Sequence, residues 1–204
     1  MQTETQAKAA RPAEDERAAN PARTDAFCRY FLYFMLYAVV GWLYEVFLEV
    51  VVYRWGFSNR GVLWGPYCPV YGVGAMAFLL CFGRLLRRKE PRWLRWAKPL
   101  LLFVGCMAVA TGIELAASYL LEWLTGAWPW QTYVNYAVHF QGRIALSPSI
   151  RFGLGGLLFL YGLQPLFERL IGRLSQRGLR RCAGTVLLLF LADAVVYACR
   201  LLLA

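Results

Sequence analysis

The sequence predicts an all-α, polytopic membrane protein of about five transmembrane helices. Three observations carry that expectation. Hydrophobic residues fill 59% of the 204 positions, well above the roughly 45–50% of ordinary globular chains. Several apolar runs reach about 20 residues, enough to cross a hydrocarbon core of about 30 Å. Basic residues gather in the short stretches between those runs.

Residues 1–25 are polar and alanine-rich and read as a disordered cytoplasmic tail. They lack the short apolar core and small-residue cleavage site of a signal peptide. Residues 26–204 then form one transmembrane domain. The first helix is expected over Phe27 to Tyr53. The second starts near Pro66, where Gly65-Pro66 and Pro69 give a broken entry, and runs to Leu86. The third covers Ala97 to Leu124, the fourth Ser149 to Ile171, and the fifth Ala183 to Leu203.

Loop charge sets the orientation. The second loop carries Arg84, Arg87, Arg88, Lys89, Arg92, Arg95 and Lys98, and the fourth carries Arg173, Arg177, Arg180 and Arg181. The first has only Arg54 and Arg60, and the long third has only Arg143. Positive loops stay inside, so the N-terminus is expected inside and the C-terminus outside a bacterial cytoplasmic membrane. The net charge of +10, from 22 basic and 12 acidic residues, belongs to these loops. Anionic lipid is its expected partner rather than nucleic acid. The six cysteines are scattered without a CxxC pair, and His139 is the only histidine. Neither a disulfide framework, a metal site nor a cofactor is implied.

The polar residues within the apolar runs mark a candidate site. A charge near mid-bilayer costs about 2.5–3.5 kcal/mol, so such residues face the bundle interior and find partners. Gly41, Glu45 and Glu49 recur every four residues on one helix face, as do Glu114, Ser118 and Glu122. The cations at that level are Arg60 and Arg143, which stay protonated and grip carboxylates in bidentate fashion. A buried network of Glu45, Glu114, Arg60 and Arg143 is the simplest account, with Asn59 beside it. Glu49 and Glu122 are close enough to the interface to be solvated. Asp193 lies deep in the fifth helix and is expected to hydrogen-bond across helices. Cys68 and Tyr71, in the broken turn, read as packing.

The third loop holds Trp128, Trp130, Tyr133, Tyr136 and Phe140 with almost no charge. It reads as an aromatic belt at the headgroups or as an interfacial segment covering a site. The layout of helices one and two, with Asn59-Arg60-Gly61 between them, partly recurs in helices three and four around Gln141-Gly142-Arg143. A parallel two-helix repeat of the kind transporters use is one reading of that recurrence.

The strings GWLYE, NRGVLWGPYCPVYGVGA, IELAASYLLEWL and QGRIALSPS resemble the bacterial ABC-transporter type IV permease family, also called CmpB-like. The resemblance covers about Phe31 to Leu166. It places Glu45, Asn59, Arg60, Gly61, Gly65, Pro66, Pro69, Tyr71 and Gly72 on the family motif, and with them Glu114, Ser118, Glu122, Gly142 and Arg143. The family's Trp-Asp-Tyr-Ser string reads Trp130-Gln131-Thr132-Tyr133 here, and its asparagine before Gly-Arg is His139. The resemblance implies a permease subunit. The chain has no GxxxxGK[ST] phosphate loop, so ATP hydrolysis would need a separate ATPase subunit docked on the second or fourth loop. Two other functions fit the same residues. One is a membrane-embedded enzyme on a lipid-linked or phosphate-bearing substrate, with Glu45 or Glu114 as acid or base and Arg60 or Arg143 on the phosphate. The other is a scaffold or sensor whose charges are structural. A homo-oligomer is compatible with all three.

Overall fold

The computed structural model is 81% helical. It describes residues 2–203 apart from 60, 62, 88–90 and 129, with backbone alone at 2–21, 92–93 and 201–203. Among the described residues, five helices are long and apolar enough to cross a membrane: Ala22–Val52, Pro69–Arg87, Leu94–Thr125, Leu146–Gly172 and Gln176–Arg200. Four of them match the expected spans to within a few residues. The fifth starts at Gln176 rather than Ala183. Hydropathy marks where lipid begins, whereas a helix propagates for as long as its backbone bonds continue, here through Arg177, Arg180 and Arg181. The chain divides into two compact units, residues 1–72 with 168–204, and residues 73–167.

In the first unit, α1 (Gln2–Phe47) and α6 (Gln176–Leu203) run side by side in the same direction. At one end Arg180 Nε donates to Asp25 at 2.6 Å. Further along, the Phe34 ring meets Phe190 edge-on at 6.3 Å. Same-direction neighbours at the first and last crossings require an odd number of spans. The helix extends back to Gln2, through residues whose composition reads as a tail, and its apolar part begins at Ala22. Met35, Ala38 and Tyr67 are buried with Phe31, Leu63 and Val186 around them, which forms this unit's core. Past Phe47 the helix widens into a π turn, Leu48–Val52, closed by Tyr53 N–H to Leu48 C=O at 2.8 Å. Such single-turn bulges cluster at functional positions, and this one contains Glu49, which is 6% exposed. The entry to α2 (Pro69–Arg87) is fixed to α1 by the Cys68 N–H, which donates to Ala38 C=O at 2.9 Å.

In the second unit, α3 (Arg92–Thr125) and α4 (Leu146–Leu157) are antiparallel and closely packed. Their seam runs at glycines: a Cβ on Gly156 would lie 2.5 Å from the Cys106 Cβ, and one on Gly153 would lie 2.7 Å from the Phe103 ring. Backbones approach closely where side chains are absent, the usual packing device between membrane helices. Gly126 ends α3 in the left-handed region, at φ 79. The fourth span continues from α4 through a π turn, Leu158–Leu163, into α5 (Gln164–Gly172).

The connection between α3 and α4 is a folded segment. A short 3-10 helix, Gln131–Asn135, leads into a hairpin of β1 (His139–Phe140) and β2 (Ile144–Ala145), paired His139 to Ala145 and Phe140 to Ile144. Gln141 and Gly142 both have positive φ, 52 and 65, and the Arg143 N–H closes the turn on Phe140 C=O at 2.9 Å. That is the type I′ pattern, which matches the twist of a two-stranded ribbon.

Candidate functional site

The second unit carries the most concentrated polar chemistry. Thr111, Glu114, Ser118 and Glu122 follow one another at helical spacing along a single face of α3. The folded loop covers that face. The Tyr133 hydroxyl donates to Glu114 Oε1 at 2.8 Å. The Thr111 hydroxyl donates to Ser149 Oγ at 2.7 Å, and Ser149 donates in turn to Ala145 C=O at 2.9 Å. Burial, then the neighbouring Glu114 carboxylate, push the Tyr133 phenol well above its ordinary value, so its hydroxyl remains a donor at neutral pH. Glu114 Oε2 is buried and has no hydrogen-bond partner among the described residues. One carboxylate oxygen at membrane depth is therefore held and the other is unused.

Arg143 is largely enclosed. Its guanidinium lies 4.1 Å from the Tyr119 ring centre and 4.1 Å from that of Trp128. Nη2 is paired with Glu122 Oε2, and Nη1 donates to Ser118 Oγ at 3.4 Å. The residue is 7% exposed, and its Nε is buried without a partner among the described residues. The loop backbone is fixed around it: Trp130 Nε1 donates to Arg143 C=O at 2.8 Å, and Trp128 Nε1 to Gly142 C=O at 3.3 Å. His139 Nδ1 accepts the Gly142 N–H at 3.1 Å. The histidine thus serves the turn as an acceptor.

Gly142 is required twice in this turn. Its φ of 65 suits glycine, and a Cβ there would lie 2.6 Å from Val134 Cγ1. Gly142→Ala is expected to destabilise the protein by about 1–2 kcal/mol, read as a lower thermal midpoint of the detergent-solubilised chain. An unchanged midpoint would mean that the turn is not under this constraint.

The first unit uses the same chemistry at different points. The Tyr71 hydroxyl donates to Glu45 Oε1, and a Cβ at Gly41 would fall on the Tyr71 ring, so the missing side chain makes room for that tyrosine. Glu49 accepts the Ser58 hydroxyl at 2.8 Å and its N–H at 3.2 Å. Asn59 Oδ1 accepts from Trp42 Nε1 at 2.8 Å and from Gly61 N–H at 3.3 Å, while its amide donates to Leu63 and Trp64 carbonyls. Asp193 accepts from Trp64 N–H at 3.2 Å, Gly65 N–H at 2.9 Å and the Tyr67 hydroxyl. Burial and then the Asp193 bond raise the Tyr67 phenol, and burial and then Glu45 raise the Cys68 thiol.

Several expectations change. Arg143 meets Glu122, not Glu114. The hairpin returns to α3 eight residues beyond Glu114, about 12 Å further along the helix, so the carboxylate that looked merely solvated is the one that holds the arginine. Tyr71 does more than pack, because it is the partner of Glu45. Asp193 does bond to another element, the segment leading into α2, while Arg200 rests over the Trp64 ring at 5.4 Å. Arg60 lies outside the described residues. Thr111, Tyr119, Trp128 and Tyr133 were not singled out as site residues from sequence. Thr111, three residues before Glu114, could have been found by extending the polar face one turn. Tyr119 sits a residue off that face, and nothing local marks it.

Nothing among curated proteins or solved structures matches the chain. A family model does, over residues 32–198, and it takes in α1 beyond Phe31, both helical units, the hairpin and Asp193. With five spans and most of the chain inside that match, this protein belongs to the family described as "Putative ABC-transporter type IV".

Proposed function

We propose that the chain is the membrane subunit of an ABC-type transporter in a bacterial cytoplasmic membrane, with Glu114 as its charge-handling residue. The observation that carries this reading is the buried Glu114 Oε2, without a hydrogen-bond partner among the described residues, while Oε1 accepts the Tyr133 hydroxyl. A carboxylate at membrane depth that leaves half its acceptor capacity unused is a functional residue by default. Arg143 is different, because Glu122 already neutralises it inside an aromatic enclosure. In this reading it fixes the loop over the site, and Glu45, Glu49, Asn59, Tyr71 and Asp193 organise the first unit in the same way. Arg60 would add a cation beside Asn59.

The phosphate-loop chain that such a subunit needs is expected to be separate. Affinity purification of the tagged protein from its native membrane should bring down a nucleotide-binding subunit whose ATP hydrolysis rises when the two are reconstituted together. Purification of the intact chain without any such partner, under mild detergent and after cross-linking, would remove the permease reading and favour the scaffold.

In the same reading the basic second and fourth loops face cytoplasmic anionic lipid, and the α3–α4 hairpin faces outward. A C-terminal phosphatase fusion is then expected to be active only outside the cytoplasm. Activity of a cytoplasm-restricted reporter at that terminus would reverse the orientation.

A further inference from the structure

We infer that the enclosure around Arg143 is a binding site for an external guanidinium compound, filled in this structure by the chain's own arginine. The inference stands apart from the role given to Glu114. Two aromatic rings with their centres 4.1 Å from a flat cation, and a carboxylate paired with one of its nitrogens, form the kind of arrangement that recognises organic cations. A guanidinium group is flat and stacks on ring faces, so it suits two aromatic contacts better than a spherical ammonium does.

Three features separate this from an arginine that merely packs. The walls have anchors besides the Arg143 side chain. Trp128 is tied to Gly142 C=O at 3.3 Å and the Tyr119 hydroxyl to Gln141 Oε1 at 2.9 Å. The Arg143 backbone is itself held, by Trp130 Nε1 on its carbonyl and by its N–H on Phe140 C=O. The enclosure is also open at one end: the Glu122 side chain is 41% exposed whereas that of Arg143 is 9% exposed. An arriving cation meets that carboxylate first. Finally, the resident cation fits imperfectly, with a buried Nε that has no partner among the described residues and an Nη1 that reaches Ser118 only at 3.4 Å. An untethered guanidinium can turn to place its donors better. Exchange swaps one cation for another, so the charge inside is unchanged and Arg143 moves out to water.

A tethered competitor acts at millimolar effective concentration or above. Wild-type affinity should therefore be weak, and removal of the tether should raise it. The test titrates methylguanidinium onto the full chain in lipid nanodiscs, followed by tryptophan fluorescence and thermal midpoint, with sodium chloride and tetramethylammonium as controls. Saturable binding is expected in wild type, tightened at least about tenfold in Arg143→Ala and lost in Trp128→Leu. Glu114→Gln should bind as wild type does. Binding by Arg143→Ala but not by wild type would overturn the inference, since the arginine would then be a permanent filler. No saturable binding in either would also overturn it. If Arg143→Ala does not extract as a monodisperse species, the comparison of wild type with Trp128→Leu decides: saturable binding confined to wild type supports the site, and none in wild type overturns it.

Discussion

Glu114→Gln is expected to insert and extract as well as the parent, or better, and to lose at least about nine-tenths of its transport activity. The amide keeps the shape of the side chain and still accepts the Tyr133 hydroxyl through its oxygen. It removes a charge whose placement at membrane depth costs on the order of 2.5–3.5 kcal/mol on insertion scales. Stability and function should therefore move in opposite directions. The measurement pairs complementation of a deletion strain with thermal unfolding of the purified variant. Full complementation by Glu114→Gln would make the carboxylate a structural acceptor and would leave the second unit without a charge-handling group.

The second large effect is expected at Arg143. Arg143→Ala leaves Glu122 without its cation and removes the contacts with the Tyr119 and Trp128 rings. Breaking a fully buried pair costs about 3–5 kcal/mol. Glu122 is partly exposed, so solvent screening reduces that part to about 1–2 kcal/mol. The two ring contacts add about 1–2 kcal/mol, for a total near 2–4 kcal/mol. The double variant Arg143→Leu with Glu122→Leu should recover most of that loss, because neither charge remains to be solvated. The checks are monodispersity after detergent extraction and the thermal midpoint. A single variant as stable as the parent would show that the pair contributes nothing to holding the loop.

The five spans were legible because their signal is additive. Twenty apolar residues outvote any local exception, as at Gly65-Pro66, where the helix waits until Pro69. Loop folding is not additive in that way. The aromatic third loop gave two readings from sequence because tryptophans at a headgroup belt and tryptophans donating to a carbonyl look the same as letters. What decides between them is a two-residue turn, Gln141-Gly142, that carries the chain back over α3. The polar face of α3 was readable from its spacing, but the pairing was not. Depth arguments ranked Glu114 above Glu122 for the arginine, and the hairpin's register reverses that order. The similarity between the units is likewise chemical rather than positional. Each holds a tyrosine on a helix carboxylate, yet Tyr71 belongs to a helix and Tyr133 to a loop.

The bonds at Asp193 have a consequence for biosynthesis. The Trp64 N–H finds its acceptor 129 residues later in the chain. At about 5–20 residues per second of translation, that acceptor is made roughly 6–26 s after the donor. Through that interval the Trp64 and Gly65 amides and the Tyr67 hydroxyl must be satisfied by interfacial water or by the insertion machinery. The first unit cannot close until the ribosome has passed residue 193. A nascent chain arrested before residue 193 would carry an unlatched segment between its first two spans, while the second unit, complete by residue 167, could already be folded. Stops before Asp193 in α6 should therefore yield half-built molecules that quality-control proteases recognise by the loop between the first two spans.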